Sequence, residues 1–193
     1  FDADTLDAAD LRARAEQVVA QAEYLTRSYT VVVTNPPYMG SSNMGSVLST
    51  RVKKHHPEAK SDLFAAFIER CLQLADAEHG LVAMITMQAW MFASSYIRLR
   101  SQLLARASIH TLAHLGTKAF RTTNGEVVST AAFVLERTFT PDSLIGHFVN
   151  LTELSEFNKA QTLKRDGRRD RQIINISVKS FYTIPGAPIS FWV

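Results

Sequence analysis

Residues Asn35-Pro36-Pro37-Tyr38 follow directly on the apolar run Val31-Val32-Val33, and their types and order could do chemistry. Asn35 supplies an amide oxygen and Pro36 a carbonyl. Neither proline carries an N–H, so the turn offers acceptors without a competing donor. Tyr38 adds a flat aromatic ring. Such a set can hold and orient a group that donates hydrogen bonds. The work is orientation and electrostatics, and no general base with a shifted pKa is required. The competing reading is a tight turn in which Tyr38 merely packs, since short motifs also match by chance.

The elements that must position this turn are legible around it. A β-branched run reads as a short buried strand, here Tyr29–Val33, and two successive prolines forbid its continuation. Asn35 and the Pro36 carbonyl therefore project at the carboxyl end of the strand, where ligands bind in open α/β sheets. Upstream, Leu11, Ala15, Val18, Ala22 and Leu25 recur at spacings of four and three, which predicts an amphipathic helix over Asp7 to Arg27. It is expected to pack across the sheet, or else against a partner helix from sequence outside the chain. Met39 to Lys60 is polar and glycine-containing and reads as a long loop or flap.

Ser61-Asp62 reads as a helix start, and an apolar stripe from Leu63 carries the helix to about Glu78, with Gly80 as the stop. Leu81–Thr86 reads as a second buried strand, Ser95 to Ala107 as a helix, and Ile109–Leu115 as a third strand. A turn at Asn124-Gly125 precedes the longest strand candidate, Glu126–Glu136. Strand, helix, strand, helix, strand, strand is half of a doubly wound sheet with a terminal hairpin.

Composition sets the bounds. The chain has 193 residues, is 46% hydrophobic and can bury a real core. Its formal charge of +3 is too mild to prove a nucleic-acid partner. The single cysteine, Cys71, excludes an intrachain disulfide and suits a reducing cytoplasm. It falls on an apolar helical face, where buried filler is the expected role. No apolar run reaches membrane-spanning length, no signal-peptide pattern opens the chain, and no initiator methionine is present. These features fit a processed product or a piece of something longer.

An Asn-Pro-Pro-Tyr turn after a strand resembles motif IV of the amino-group methyltransferases, which use S-adenosylmethionine to methylate an exocyclic or amide nitrogen. The resemblance gives each residue a role. The exocyclic amine of adenine is a poor nucleophile because its lone pair is delocalised into the ring. Asn35 and Pro36 would accept its two hydrogens, and Pro37 would rigidify the turn. Tyr38 would stack on a base taken out of the duplex.

A more specific resemblance rests on Thr34-Asn35-Pro36-Pro37-Tyr38-Met39-Gly40-Ser41, Val52-Lys53-Lys54-His55-His56-Pro57 and Lys60-Ser61-Asp62-Leu63-Phe64. Met84–Phe92 and Gly125–Leu135 add to it, with a fainter echo at Ile184–Ile189. These segments resemble the adenine-specific DNA methyltransferases of the BREX phage-defence system, the PglX type. The resemblance implies an α/β fold, the second half of a class I S-adenosylmethionine-dependent methyltransferase sheet, in which the last strand inserts antiparallel. It divides the chain into a lead-in helix over 1–28, a partial catalytic domain over 29–138 and a linker toward a target-recognition region over 139–193. The implied substrate is double-stranded DNA with a flipped adenine, in a restriction-modification setting, with other phage-defence proteins as possible partners. The cofactor-side half is missing. No strand runs into a glycine-rich turn, and no acidic residue follows at ribose-binding spacing, so no cofactor-binding residue is assigned. The isolated chain is expected to be inactive and to self-associate.

Other features have plainer readings beside the sharper ones. His110 and His114 are four apart, but in a strand that spacing separates the rings by about 13 Å, too far for one metal ion. Lys53, Lys54 and Lys60, with Arg51, His55 and His56, are candidates for DNA phosphate contact, and a solvated loop is the alternative. Lys164–Arg171 carries five positive and two negative charges and reads as a solvated run before it reads as a DNA contact. Trp90 and Phe92, past the second strand, are candidates for walling a base pocket, with core packing favoured. A methyltransferase acting on protein glutamine or RNA guanine is an alternative enzyme. A non-catalytic interaction module is the alternative outside enzymes.

Overall fold

The structure, a computed structural model, describes residues 3–117, 119, 128–138, 143–164 and 173–192. Its centre is a six-stranded mixed sheet in the order β1-β2-β4-β3-β5-β6. The strands are β1 (Val31–Thr34), β2 (Leu81–Met87), β3 (Ser108–Gly116), β4 (Thr130–Glu136), β5 (Ile145–Asn150) and β6 (Ile173–Ser177). β1 and β2 run parallel, and β4 inserts antiparallel between β2 and β3, as the resemblance implies. The turn expected at Asn124-Gly125 and the start of that strand at Glu126 lie outside the described residues. β5 then pairs parallel with β3, and β6 antiparallel with β5. Residues 139–193, read as a linker, thus contribute two strands to the same sheet. Their alternation is short and broken by polar residues, which hid it.

The helices are α1 (Ala3–Thr26), α2 (Ser46–His55), α3 (Leu63–Leu74), α4 (Ile97–Arg106) and α5 (Glu156–Lys164). α3 begins where Asp62 caps it, its carboxylate accepting the Phe64 N–H at 3.2 Å. It stops at Leu74, four residues before the expected end. Ala75 turns extended and bridges Tyr29 beside β1, so tertiary pairing ends the helix. Gly80 instead admits the chain to β2, because a Cβ there would sit 2.3 Å from the Asp76 nitrogen.

One face of the sheet holds the core. Val82, Met84, Phe133, Leu135, Leu112 and Phe148 are buried there with Phe64 and Ile68 of α3 and Leu99 and Leu103 of α4. Val178, Phe181, Ile189 and Phe191 complete the layer. The other face is open. Ala83, Ile85, Ala113, Ala132, Val134 and Val149 are only half-buried and line an apolar cavity of about 740 Å³ with Asn35 and Leu163.

α1 does not pack across this sheet. Leu11, Val18 and Leu25 are exposed, and so is every residue from 8 to 26. Its junction with the body is a few contacts near the end, such as Arg70 Nη2 donating to the Leu25 carbonyl at 2.7 Å. The helix forms as expected, but its apolar and polar residues are spread almost evenly around it, so the expected amphipathic face is not there to be buried. The expected flap over Met39–Lys60 is corrected as well. It contains α2, pinned by buried Val52, with Met44 and Ala59 buried on either side. Three buried apolar residues sufficed to order a stretch that composition makes look like loop.

Candidate active site

β1 ends at Thr34, level with Met84 of β2, and the Asn35–Tyr38 turn leaves the sheet there. The turn alternates in burial. Asn35 and Pro37 are exposed, Pro36 is buried and Tyr38 is half-buried. Pro36 is thereby wedged into the body while the Asn35 side chain stands at the mouth of the open-face cavity. The Tyr38 ring meets Phe64 edge-on, with centroids 6.2 Å apart, and its hydroxyl lies 3.5 Å from the Ile85 carbonyl. Burial raises the Tyr38 pKa, so the phenol stays protonated at neutral pH.

What holds the turn was missed by sequence reasoning. Asp62 Oδ1 accepts the Met39 N–H at 3.0 Å as well as that of Phe64. The Leu63 N–H donates to the Met39 carbonyl, and that of Ser41 to the Ser61 carbonyl, both at 3.0 Å. The segment after Tyr38 is thus sewn to the first turn of α3. The signal is present in the sequence, since Ser61-Asp62 reads as a helix start with either residue able to cap, but a cap serving a second segment needs the three-dimensional path.

Lys53 and Lys54 are exposed in the last turn of α2, and Lys60 is exposed just before α3. Cations at a helix carboxyl end are favoured by its dipole, which gives the first two a local reason to be there. Of the basic run, residues 165–171 lie outside the described residues. His55 is exposed, whereas His56 Nδ1 lies 2.6 Å from Glu69 Oε2, so His56 serves the body.

The loop after β2 begins at Gln88. Trp90 is fully buried, stands edge-on to Phe133 and donates its Nε1–H to Thr86 at 3.1 Å. It is core. Phe92 is exposed and meets Trp192 edge-on. His114 is buried, hydrogen-bonds Gln88 through Nε2 and stacks on Trp192 at 4.7 Å. Burial, and then the positive charge of Lys159, lowers its pKa. His110 instead pairs with Glu136 at the other end of β3 and β4, where His79 Nδ1 lies 2.5 Å from the same carboxylate. Among the described residues no three His, Cys, Asp or Glu side chains could hold a metal ion, and no helix is long and apolar enough to cross a membrane.

The turn that follows β1 is proline-rich, and among the described glycines none opens a helix directly after a strand. The outer edge of β1, with Val33 72% exposed, has no neighbouring strand among the described residues.

Comparison with known proteins gives the family and the fold. The model of the Eco57I restriction-modification methylase family matches residues 3–120. The adenine-specific methyltransferase PglX of Lacticaseibacillus casei (strain Zhang) is 40% identical over 171 residues, 87% of this chain and 14% of that protein. The adenine-specific methyltransferase BrxX of Escherichia coli O9:H4 (strain HS) is 38% identical over 174 residues, 90% of this chain and 14% of that one. The chain therefore spans about one seventh of the length of these relatives. Among solved structures, a type I restriction-modification methyltransferase subunit from Streptococcus thermophilus superposes with a TM-score of 0.56. It is 13% identical, and the match covers 87% of this chain and 39% of that one. A Listeria monocytogenes protein assigned to the class I S-adenosylmethionine-dependent methyltransferases gives 0.50 at 16% identity, over 72% and 42% of the two chains. The fold is that of the class I methyltransferases.

Proposed function

The chain belongs to the Eco57I restriction-modification methylase family, and from that premise we propose that it is the acceptor side of a DNA N6-adenine methyltransferase acting in phage defence. The observation that carries this reading is the Asn35–Tyr38 turn, with Asn35 exposed at the carboxyl end of β1 and Pro36 locked into the body behind it. The Asn35 amide oxygen and the Pro36 carbonyl accept the two hydrogens of the adenine amine. That geometry turns the nitrogen lone pair out of conjugation and toward the methyl donor. Tyr38, steadied by Phe64, offers a ring face to the flipped base. Catalysis on this side consists of holding the amine in one pose, a contribution that proximity and preorganisation make large.

The methyl donor implied by the fold is S-adenosylmethionine, and we assign its binding to sequence outside this chain. Lys53, Lys54 and Lys60 are exposed and fit contacts to the phosphates of double-stranded DNA, which position without reading sequence. A buried, reduced Cys71 fits the cytoplasm, where such DNA is met. The test is methyl transfer from labelled S-adenosylmethionine by the full-length protein to adenine-containing duplex DNA, with RNA and protein acceptors offered in parallel and each digested to nucleosides or amino acids. Labelled N6-methyladenine is expected. Label on protein glutamine or RNA guanine, with none on adenine, would replace this reading by one of its relatives in chemistry.

A further inference from the structure

Arg100 of α4 is 1% exposed, and among the described residues it has no carboxylate partner. Burying an uncompensated guanidinium is costly, and an apolar side chain would fill the space more cheaply. Its hydrogen bonds explain its presence. Nη1 donates to the Trp90 carbonyl at 3.0 Å and to the Ala93 carbonyl at 2.7 Å. Nε and Nη2 both donate to the Gly186 carbonyl, at 3.1 and 2.9 Å. A planar guanidinium fork presents donors on two sides in fixed directions, a geometry that the compact point charge of an ammonium does not reproduce.

The two segments so joined are the loop after β2 and the stretch Ile184–Trp192. A second tie runs between them, the Ile189 N–H donating to the Met91 carbonyl at 2.8 Å. A third is the contact of Phe92 with Trp192. Gly186 sits at φ +79°, a backbone state that favours glycine. The loop in question starts at Gln88, three residues beyond Ile85 on the strand beside β1, and Ile85 also meets the Tyr38 hydroxyl.

We propose that Arg100 is a positioning residue for methyl transfer: it fixes the Gln88–Phe92 loop beside the acceptor turn by fastening it to the Ile184–Trp192 segment. This rests on the acceptor-side reading above. It adds that the acceptor wall is set by a segment distant in sequence, through one guanidinium that touches neither base nor cofactor.

The experiment uses the full-length protein with Arg100→Lys, which keeps the charge and removes the fork, and reads two things. The first is amide hydrogen exchange, which needs no activity. Faster exchange confined to Phe92, Ala93 and Ile189, with β2 unchanged, is expected, and unchanged exchange there overturns the proposal. The second is steady-state kinetics below the unfolding temperature. A fall in kcat of about tenfold or more is expected, as for a reacting group displaced by a fraction of an ångström, with KM for S-adenosylmethionine within about twofold. A stable variant with wild-type kcat overturns the proposal, because a merely structural arginine would lower only the melting temperature. Should Arg100→Lys not fold, Gly186→Ala takes its place. It strains the acceptor at positive φ, where the added methyl would meet Ile97 at 3.4 Å, and leaves the arginine intact. The same split between kcat and KM is expected, and its absence is again contrary. If the wild-type protein does not methylate adenine, the functional reading falls by itself and the exchange result still decides whether Arg100 holds the loop.

Discussion

Asp62 and Met39 are joined by a hydrogen bond of 3.0 Å, from the Met39 N–H to the same carboxylate oxygen that caps α3. One side chain therefore starts a helix and anchors the residue directly after the Asn35–Tyr38 turn. Asp62→Ala removes both bonds. Loss of an N-cap costs about 0.5–2 kcal/mol, and a half-buried N–H left without an acceptor adds about 1–3 kcal/mol. Urea unfolding of the full-length protein's methyltransferase domain should show a destabilisation in that combined range for Ala. Asn, which keeps an acceptor oxygen, should cost less. Equal stability of wild type and Asp62→Ala would mean the bond to Met39 is incidental.

Tyr96 reports on the same carboxylate. Burial, and then the negative charge of Asp62, pushes its phenol up to about 12. A pKa raised on folding contributes stability that is complete below the ordinary phenol value of about 10 and is lost as pH rises through the folded value. Melting temperature should therefore fall above about pH 10. Tyr96→Phe should flatten part of that fall, read by thermal melts between neutral and strongly alkaline pH.

Cys71 should be chemically silent. It is buried in α3, and its thiol is pushed up to about 11 by burial, against a smaller opposing pull from Arg70. At pH 8 it carries almost no thiolate, the reactive form. Iodoacetamide should leave the native protein's Cys71 unlabelled and modify it fully in denaturant, as read by mass spectrometry. Rapid native labelling would place α3 differently.

The lysines of α2 and its approach to α3 should act on DNA through charge alone. Replacing Lys53, Lys54 and Lys60 by Ala should weaken DNA binding by the full-length protein. The salt dependence should flatten by about one unit per lost phosphate contact, with sequence preference unchanged. An unchanged slope would make them a solvated surface.

How much of this was legible in the sequence divides along physical lines. β-branched and apolar runs fixed β1, β2, β3 and the antiparallel β4, because burial on a sheet needs a pattern that few sequences carry by accident. The Asn35–Tyr38 turn at the end of β1 was legible because two prolines constrain the backbone wherever they stand. α2 was not, since a helix held by one buried valine and its flanking anchors is polar almost throughout. β5 and β6 were missed for the same reason, with His147 and Asn175 facing each other in the ladder. α1 was legible as a helix but not in its packing, because five apolar residues at helical spacing are offset by others such as Val19 and Tyr24 on the remaining faces, which leaves no one-sided surface to bury. The Asp62–Met39 and Arg100–Gly186 ties join residues 23 and 86 positions apart, a distance no local pattern reports.

A 193-residue chain with an open apolar sheet face, and with no strand beside the outer edge of β1 among the described residues, should not remain a cofactor-binding monomer. Light scattering of the isolated chain should show association. Titration calorimetry with S-adenosylmethionine should show no binding in the micromolar range. A monomer that binds the cofactor would move the cofactor site into this chain.

The central claim is that Asn35 and Tyr38 hold the adenine being methylated, and the most direct measurement is the methyl-transfer rate of Asn35→Ala in the full-length protein. Asn35 is exposed and Tyr38 half-buried, so folding should survive both substitutions. The expected result is transfer to adenine lowered by about 100-fold or more for Asn35→Ala, the scale seen when one oriented polar group is lost from an active site. Tyr38→Ala should lose about 1–3 kcal/mol of base stacking, read as weaker engagement of the flipped base. A folded Asn35→Ala protein that methylates adenine at the wild-type rate would contradict the account.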